Sequence, residues 1–312
     1  MRPSGFDSFK EIREQNIMAI KEAKEQGTKV AGIYCGYCPR ELVLAAGAIP
    51  VSLCGTKDEP IAAAEKDLPR NLCPLIKSSY GFAATDSCPY FHFSDMVIGE
   101  TTCDGKKKMF ELMQKIKPVH VMNLPQMPER TSSMDLWYDE LVRLKEVIEE
   151  SFGVDITEEG LRQAIHITNE EIRCLKDLYD LNQNKPALIS GLDMLTTSFQ
   201  VSFNADRLAA IAMIDGLVKE IREMAEQGYC VGDASTPRIL LTGTPVGVGS
   251  EKVIALVEEC GGLVVAMQNC SGYTCTQLSV DENDERDPLR ILAEKYLKIP
   301  CTVMTPNPGR TE

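Results

Sequence analysis

A chain of 312 residues, 44% hydrophobic and 25% charged, can bury two ordinary cores, so two domains are the expected organisation. Its net charge of −13 argues against nucleic acid and anionic membrane as partners, because phosphate binding is carried by clustered Lys and Arg and the one basic run, Lys106 to Lys108, is short. The opening MRPSGFDSFKEIREQ has no apolar export segment and no stretch reaches ~18 uninterrupted apolar residues, which gives a cytoplasmic reading; in a reducing compartment the twelve cysteines are candidates for soft-metal ligands or buried residues rather than disulfides.

An amphipathic helix is expected over about residues 7–26. Apolar, β-prone runs then alternate with helical stretches: strand Lys29 to Tyr34, helix Glu41 to Ala46, strand Ile49 to Leu53, strand Asp95 to Gly99, helix Lys106 to Ile116 and strand Val119 to Leu124. Such alternation predicts a mostly parallel sheet with crossover helices. From Leu136 to Gly228 the apolar residues recur with helical period and almost no strand signal, with breaks near Gly153, Pro186 and Gly191. A second alternation begins at Pro237: strand Arg238 to Leu241, loop Thr242 to Gly249, helix Ser250 to Glu259, strand Leu263 to Met267, helix Pro288 to Tyr296 and strand Ile299 to Val303. The expected fold is therefore two α/β domains of Rossmann/flavodoxin-like type joined by a helical segment: 1–135 an N-terminal α/β domain, 136–235 a helical bridge, and 236–312 a C-terminal α/β domain. With about three strands, that last domain reads as incomplete, the chain being a fragment or its remainder being supplied elsewhere.

Cysteine placement carries the chemical signal. Cys35, Cys38, Cys54, Cys73, Cys88 and Cys103 all fall in the first third, several just after strand-like runs. Thiols at strand-to-loop junctions point to a metal or iron–sulfur site at one edge of a sheet. In Cys35-Gly-Tyr-Cys38-Pro39 the strand ends, a turn follows, and Pro39 suits a helix start whose N-terminus favours thiolate or anion. The CxxC spacing also admits thioredoxin-like and zinc readings, although no second CxxC completes a four-Cys zinc ribbon. Cys73, at a helix start or loop, and Cys103, between a strand and the turn-forming Asp104-Gly105, can converge with Cys35, because ligands in open α/β sheets bind beyond the carboxyl ends of the strands. Cys88 is ambiguous between ligand and buried thiol. Cys54, Cys174 and Cys260 read as small core residues, and Cys230 as structural or incidental.

In the second α/β region Cys270 and Cys301 again lie at strand edges, with Cys275 a weaker candidate in the following loop. The stretch Thr242 to Lys252 looks like a phosphate loop but lacks the GxxxxGK[ST] order; the plainer reading is a strand–turn–helix that allows close backbone approach. Only three histidines, His92, His120 and His166, are present, which leaves little material for a His-based zinc site or a Ser/His/Asp site; His120 reads as a satisfied core residue. Glu41 and Glu100 each lie within six residues of a proposed ligand and are candidates for proton transfer or for support behind the ligands, against a capping or solvated role.

The segments GIYCGYCPRELVLAAGAIPVSLCG, NLCPLIKSSYGFA, CPYFHFSDMVIGETTCDGKKKMFE, IKPVHVMNLPQ, TGTPVGVGSEKV and NCSGY resemble the 2-hydroxyacyl-CoA dehydratase and benzoyl-CoA reductase family, most closely its double-cubane cluster proteins. The resemblance implies an oxygen-sensitive homodimer with an [8Fe-9S] double cubane in each subunit, or in the dehydratase relatives a [4Fe-4S] cluster. It also implies a separate ATP-hydrolysing iron–sulfur activator as electron donor and a small-molecule substrate. Cys35, Cys73 and Cys103 match the family's amino-terminal cluster cysteines, and Cys270 and Cys301 those of the second domain, with a sixth expected beyond Glu312. Thr244 and Val303 stand where close relatives have cysteine, and Cys38 and Cys275 are extra thiols. The implied activity is ATP-dependent reduction of small molecules at low potential; the alternatives are a subunit of a radical (R)-2-hydroxyacyl-CoA dehydratase and a non-catalytic iron–sulfur electron carrier.

Overall fold

The computed structural model describes residues 2–270 and 272–307. In chain order the elements are α1 (Gly5–Glu25), β1 (Val30–Ile33), α2 (Arg40–Ala45), β2 (Ile49–Ser52), α3 (Ile61–Ala64), α4 (Pro74–Ala84), α5 (Pro89–Phe93), β3 (Met96–Glu100), α6 (Asp104–Met113), β4 (Val119–Met122), α7 (Thr131–Phe152), α8 (Glu158–Asp180), α9 (Gly191–Val201), α10 (Arg207–Glu226), β5 (Arg238–Thr242), α11 (Lys252–Glu259), β6 (Leu263–Gln268) and α12 (Pro288–Leu297). The α/β class expected from the alternation is the class observed, and no helix among the described residues is long and apolar enough to cross a membrane.

Two compact units divide the chain: residues up to Asn16 with Asn169–Gln277, and Ile17–Thr168 with the segment from Leu278 onward. This grouping crosses the sequence boundaries at 135 and 235. The physical reason is α12, whose Leu289, Leu292 and Tyr296 are buried in one core with Trp137, Leu141, Leu144 and Ile148 of α7. Those four α7 residues recur at helical spacing, so α7 presents a single apolar stripe. Trp137 also meets Tyr37 edge to face, with ring centroids 6.3 Å apart.

The second of these units is built on a four-stranded parallel sheet in the order β2-β1-β3-β4. Every residue of β1 and β3 is buried, as expected when helices cover both faces of parallel strands, whereas β4 at the edge is mostly half-buried. Gly99 on β3 lets α6 close in, since a Cβ there would stand 2.2 Å from the Phe110 ring. All four strands run the same way, so all four chains leave the sheet at one edge.

The first unit holds the two-stranded parallel pair β5-β6, with a register shift between Ile239 and Leu240. Its core gathers Phe6, Phe9, Leu178, Ile189, Leu195, Leu217 and Val264. Buried Asn182 stitches this core, accepting from the Leu188 and Ile189 N–H groups at 3.1 and 2.8 Å and donating to the Ile189 carbonyl at 2.9 Å.

The strand expected at Ile299–Val303 does not form. Pro300 has no N–H for a ladder, and the segment instead makes turns, with Met304 N–H on the Cys301 carbonyl (3.1 Å) and Thr305 N–H on the Gln126 carbonyl (2.8 Å).

What fastens α12 to α2 is polar. Glu41 is fully buried, and its carboxylate accepts from Lys295 Nζ (2.8 Å), Tyr296 OH (2.8 Å) and Thr168 Oγ1 (3.1 Å). Burial alone pushes the Glu41 carboxyl up, but the Lys295 ammonium and its hydrogen bond outweigh this and hold it below the ordinary value. A depressed carboxyl contributes stability above its unfolded value of ~4.3 and loses it as pH falls through the folded value. Glu41→Gln, which leaves Lys295 buried without its counter-charge, is expected to cost about 3–5 kcal/mol in urea melts, with a flatter loss of stability below ~pH 4.3 than the parent, and replacing both partners by Met is expected to recover most of the loss.

Candidate metal centre at the carboxyl edge of the sheet

The carboxyl edge of β2-β1-β3-β4 is where the thiols gather. Cys54 follows β2, Cys35 follows β1 and Cys103 follows β3, on three adjacent strands. The β1–β2 register pairs Ile33 with Ser52 and continues through the Leu53 N–H to Ile33 carbonyl bond, which brings Cys35 and Cys54 side by side. A hydrogen bond from the Cys35 backbone reaches the Cys54 thiol. Cys35 itself has φ of 66°, a left-handed conformation that costs a non-glycine residue about 1 kcal/mol and marks a place where the surrounding structure dictates the backbone.

Two helices aim their N-termini at the same edge. Cys103 is the N-cap of α6, and its sulfur accepts the Lys106 N–H at 3.4 Å. Cys73 is the N-cap of α4, with Pro74 in the first turn as its missing N–H requires. The two helix starts are packed together, because a Cβ on Gly105 of α6 would stand 2.7 Å from Ile76 and 3.1 Å from Leu72 at the start of α4. α4 is tied in turn to the loop after β2, where Gly55 N–H donates to Ser79 Oγ at 3.0 Å. Helix N-termini favour thiolate and other anions, so both cysteines sit where ligand chemistry is supported.

Cys301, in the turn after α12, reaches this edge as well. Tyr37 OH, two residues past Cys35, donates to the Ile299 carbonyl at 3.4 Å, and Thr305 pairs with Gln126 beyond β4. Cys301 is partly buried there against the core. Cys270 follows β6 in the other unit and is exposed. Cys35 is half-buried and Cys73 and Cys103 are exposed. Among the described residues no three Cys, His, Asp or Glu side chains stand close enough together to hold a single metal ion. The donors at this edge are thiols that follow adjacent strands or stand at two helix starts, soft ligands of the kind that hold iron–sulfur clusters or zinc.

Around the thiols lies a charged pair. Glu100, the last residue of β3, is fully buried; its Oε1 accepts from Lys106 Nζ at 3.1 Å while its Oε2 has no hydrogen-bond partner. Lys106 Nζ also donates to Thr102 Oγ1 at 3.1 Å. Burial pushes the Lys106 ammonium down, but the nearby Cys35 sulfur, Glu100 and Cys54 outweigh it, so its pKa is raised and the charge is kept. Cys54 is reached by solvent yet ringed by protein, and the second effect pushes its thiol up.

Several sequence expectations need correction. Cys54, read as a core residue, is an exposed thiol beside Cys35, and Cys260, read the same way, is exposed at the end of α11. Cys174 is buried as expected and donates to Asp215 at 3.1 Å. Cys38 is buried in the core among apolar side chains, with its thiol pushed well up by burial, so the CxxC spacing does not make a reactive pair. Cys88 caps the short helix α5 and is half-buried. His120 is not satisfied: its Nε2 is buried without a partner, and burial, helped by Arg143, lowers its pKa. The glycine loop before α11 satisfies its own donors, Gly247 N–H on Ser250 Oγ (3.1 Å) and Gly249 N–H on the Glu251 carboxylate, which supports the plain strand–turn–helix reading over a phosphate site. The Cys275 side chain lies outside the described residues. Lys106, overlooked in the sequence, carried a signal: it stands four residues before buried Phe110 and so shares its face of α6.

The cap that Cys103 makes can be tested by substitution. In iron-free protein Cys103→Ala is expected to lose about 1 kcal/mol in urea melts through loss of the cap, whereas Cys103→Ser, a better cap, is expected to match or exceed the parent.

The family model described as "2-hydroxyglutaryl-CoA dehydratase, D-component" matches residues 35–312. A protein of Escherichia coli (strain K12) named as a dehydratase subunit, YjiM, is 47% identical over 308 residues, covering 99% of this chain and 79% of the relative. The (R)-phenyllactyl-CoA dehydratase beta subunit of Clostridium sporogenes is 24% identical over 96% of this chain and 77% of its own length. A benzoyl-CoA reductase subunit of Thauera aromatica is 26% identical over 56% of this chain and 45% of its own length. The chain belongs to the 2-hydroxyglutaryl-CoA dehydratase D-component family, a family of enzyme subunits.

Proposed function

We propose that this family member is a cytoplasmic, ATP-dependent low-potential reductase of small molecules, with an [8Fe-9S] double-cubane cluster that a separate ATP-hydrolysing activator reduces. The observation that supports this reading is the set of soft donors at one sheet edge: Cys35 and Cys103 follow adjacent strands, and Cys73 and Cys103 stand at the starts of two abutting helices there. These three would hold one cubane. Cys270 and Cys301 are assigned as further ligands by the family resemblance alone. On this reading the protein is a homodimer.

When bound, such a group supplies one-electron chemistry at very low potential, set by thiolate ligation and by how dry its surroundings are. The chain's own residues hold and surround it. The Cys103 sulfur is held on the Lys106 N–H, Cys73 stands at the start of α4, and the Glu41 knot keeps the Cys35 loop and the Cys301 turn in register through α2 and α12. Glu41 thus acts as a positioning residue. Glu100, buried with one oxygen unpaired, stands behind the thiols as the carboxylate partner of Lys106.

A second reading is a subunit of a radical (R)-2-hydroxyacyl-CoA dehydratase with a [4Fe-4S] cluster, and it is favoured by a specific observation: the 47%-identical relative is named as a dehydratase subunit. It predicts a second, non-identical subunit and turnover of an acyl-CoA.

Oxygen-free purification followed by iron, sulfide and EPR analysis tests the main reading. The expected result is about eight irons per subunit with matching sulfide, reduction only with activator and ATP, and reduction of acetylene or azide. Serine at position 35, 73 or 103 is expected to remove most of one cubane's iron, and Cys260→Ser to leave it in place. Turnover of an acyl-CoA with about four irons would shift the assignment to the dehydratase; one zinc without sulfide would end both.

A further inference from the structure

Lys106 opens a run of three lysines, and its two neighbours do what a solvated run does: Lys107 pairs with Asp104 and Lys108 with Glu111 at the surface. Lys106 does not. Its side chain is only 16% exposed, its Nζ lies 3.1 Å from Glu100 Oε1 and 3.1 Å from Thr102 Oγ1, and it stands 5.9 Å from the centroid of the Phe110 ring. Its backbone N–H is the one that Cys103 accepts. A buried ammonium held by three neighbours beside a set of thiols is a fixed charge, with little freedom to move or to be screened by water.

Glu100 cannot cancel that charge at the thiols. Glu100 lies back at the end of β3 with its side chain fully buried, whereas Lys106 stands in the first turn of α6, the helix that Cys103 caps, with its side chain partly open to the same edge. The cation thus stands on the Cys103 side of the pair, so that an extra electron placed among the thiols is stabilised by it more than it is opposed by the carboxylate.

We propose that Lys106 is a positioning residue that sets the reduction potential of an iron–sulfur cluster held at the Cys35–Cys103 edge, by fixing a positive charge against the ligand thiolates that Glu100 offsets only in part. This inference rests on the cluster reading given above. The electron enters from an external one-electron donor of low potential, the cluster gains it, and no bond of Lys106 forms or breaks. Charge at the cluster is what Lys106 changes, so the effect belongs in the midpoint potential and not in the iron count.

The test is an EPR-monitored redox titration of the whole, oxygen-free protein with titanium(III) citrate as reductant. Variants are Lys106→Arg, Lys106→Met, Glu100→Gln and the double variant Lys106→Met with Glu100→Gln. Electrostatic control predicts an order from easiest to hardest to reduce: Glu100→Gln, then the parent with Lys106→Arg, then the double variant, then Lys106→Met. At a fixed potential the reduced fraction relative to oxidised in Lys106→Met is expected to fall at least about tenfold, equivalent to ~59 mV for one electron. Glu100→Gln still accepts from Lys106, and the double variant leaves no buried charge alone, so both report even where Lys106→Met folds poorly. Equal potentials across the variants that bind iron, or a double variant more easily reduced than the parent, would overturn the proposal. Parent protein without iron would instead overturn the cluster reading on which it stands.

Discussion

Parallel strands that all leave a sheet at the same edge impose the constraint from which the rest follows. In β2-β1-β3-β4 the chain cannot turn back by a tight hairpin, so each strand is followed by a loop and a helix start at the carboxyl edge. That edge collects unpaired N–H groups, helix dipoles and whatever side chains the loops carry. Here the loops carry cysteine. Cys54, Cys35 and Cys103 follow three neighbouring strands, and Cys73 arrives on α4, which abuts the start of α6. Cys35 and Cys54, nineteen residues apart in sequence, become neighbours because β1 and β2 run side by side in the same direction.

Around that edge the chain uses buried charge for two different purposes. Glu41, with Lys295, Tyr296 and Thr168, is fully hydrogen-bonded at one oxygen or the other and fastens α12 to α2. Such a knot adds little net stability over an apolar replacement, but it specifies one arrangement, since any slip leaves a charge unpaired. Glu100 is different. One of its oxygens pairs with Lys106 while the other is buried with no partner, an arrangement a purely structural group would avoid. The contrast separates two carboxylates that look alike in sequence, each a few residues from a cysteine.

The apolar alternation that marked β1, β2, β3, β4, β5 and β6 was legible in the sequence because parallel strands are short apolar runs bounded by turn residues, whether buried like β1 and β3 or exposed like β5, and their observed limits fall within one or two residues of those expected. The long helical middle was equally plain from its 3.6-residue period. Ile299 to Val303 misled because its apolar residues outvoted Pro300, whose missing N–H decides the matter. Thiol environments were harder. Cys54 ends an apolar run and looks like core, yet the register that pairs it with Cys35 exists only once β1 and β2 are side by side. Cys38, two residues from a helix start, kept several CxxC readings open in the sequence, and the core that closes over it decides against a reactive pair. Burial of single side chains at element ends depends on what packs from elsewhere in the chain, and no local pattern encodes it. The family resemblance, by contrast, was carried by whole segments and is shared with relatives across nearly the full chain.

Cys35, Cys73 and Cys103 are proposed together to bind inorganic iron and sulfide at the carboxyl edge of the four-stranded sheet. Anomalous diffraction at the iron absorption edge, from crystals grown without oxygen, reads this directly. The account predicts a compact group of iron peaks bounded by those three sulfur atoms, with Lys106 beside it. Iron absent from that edge, or bound elsewhere with the three thiols facing solvent, would contradict it.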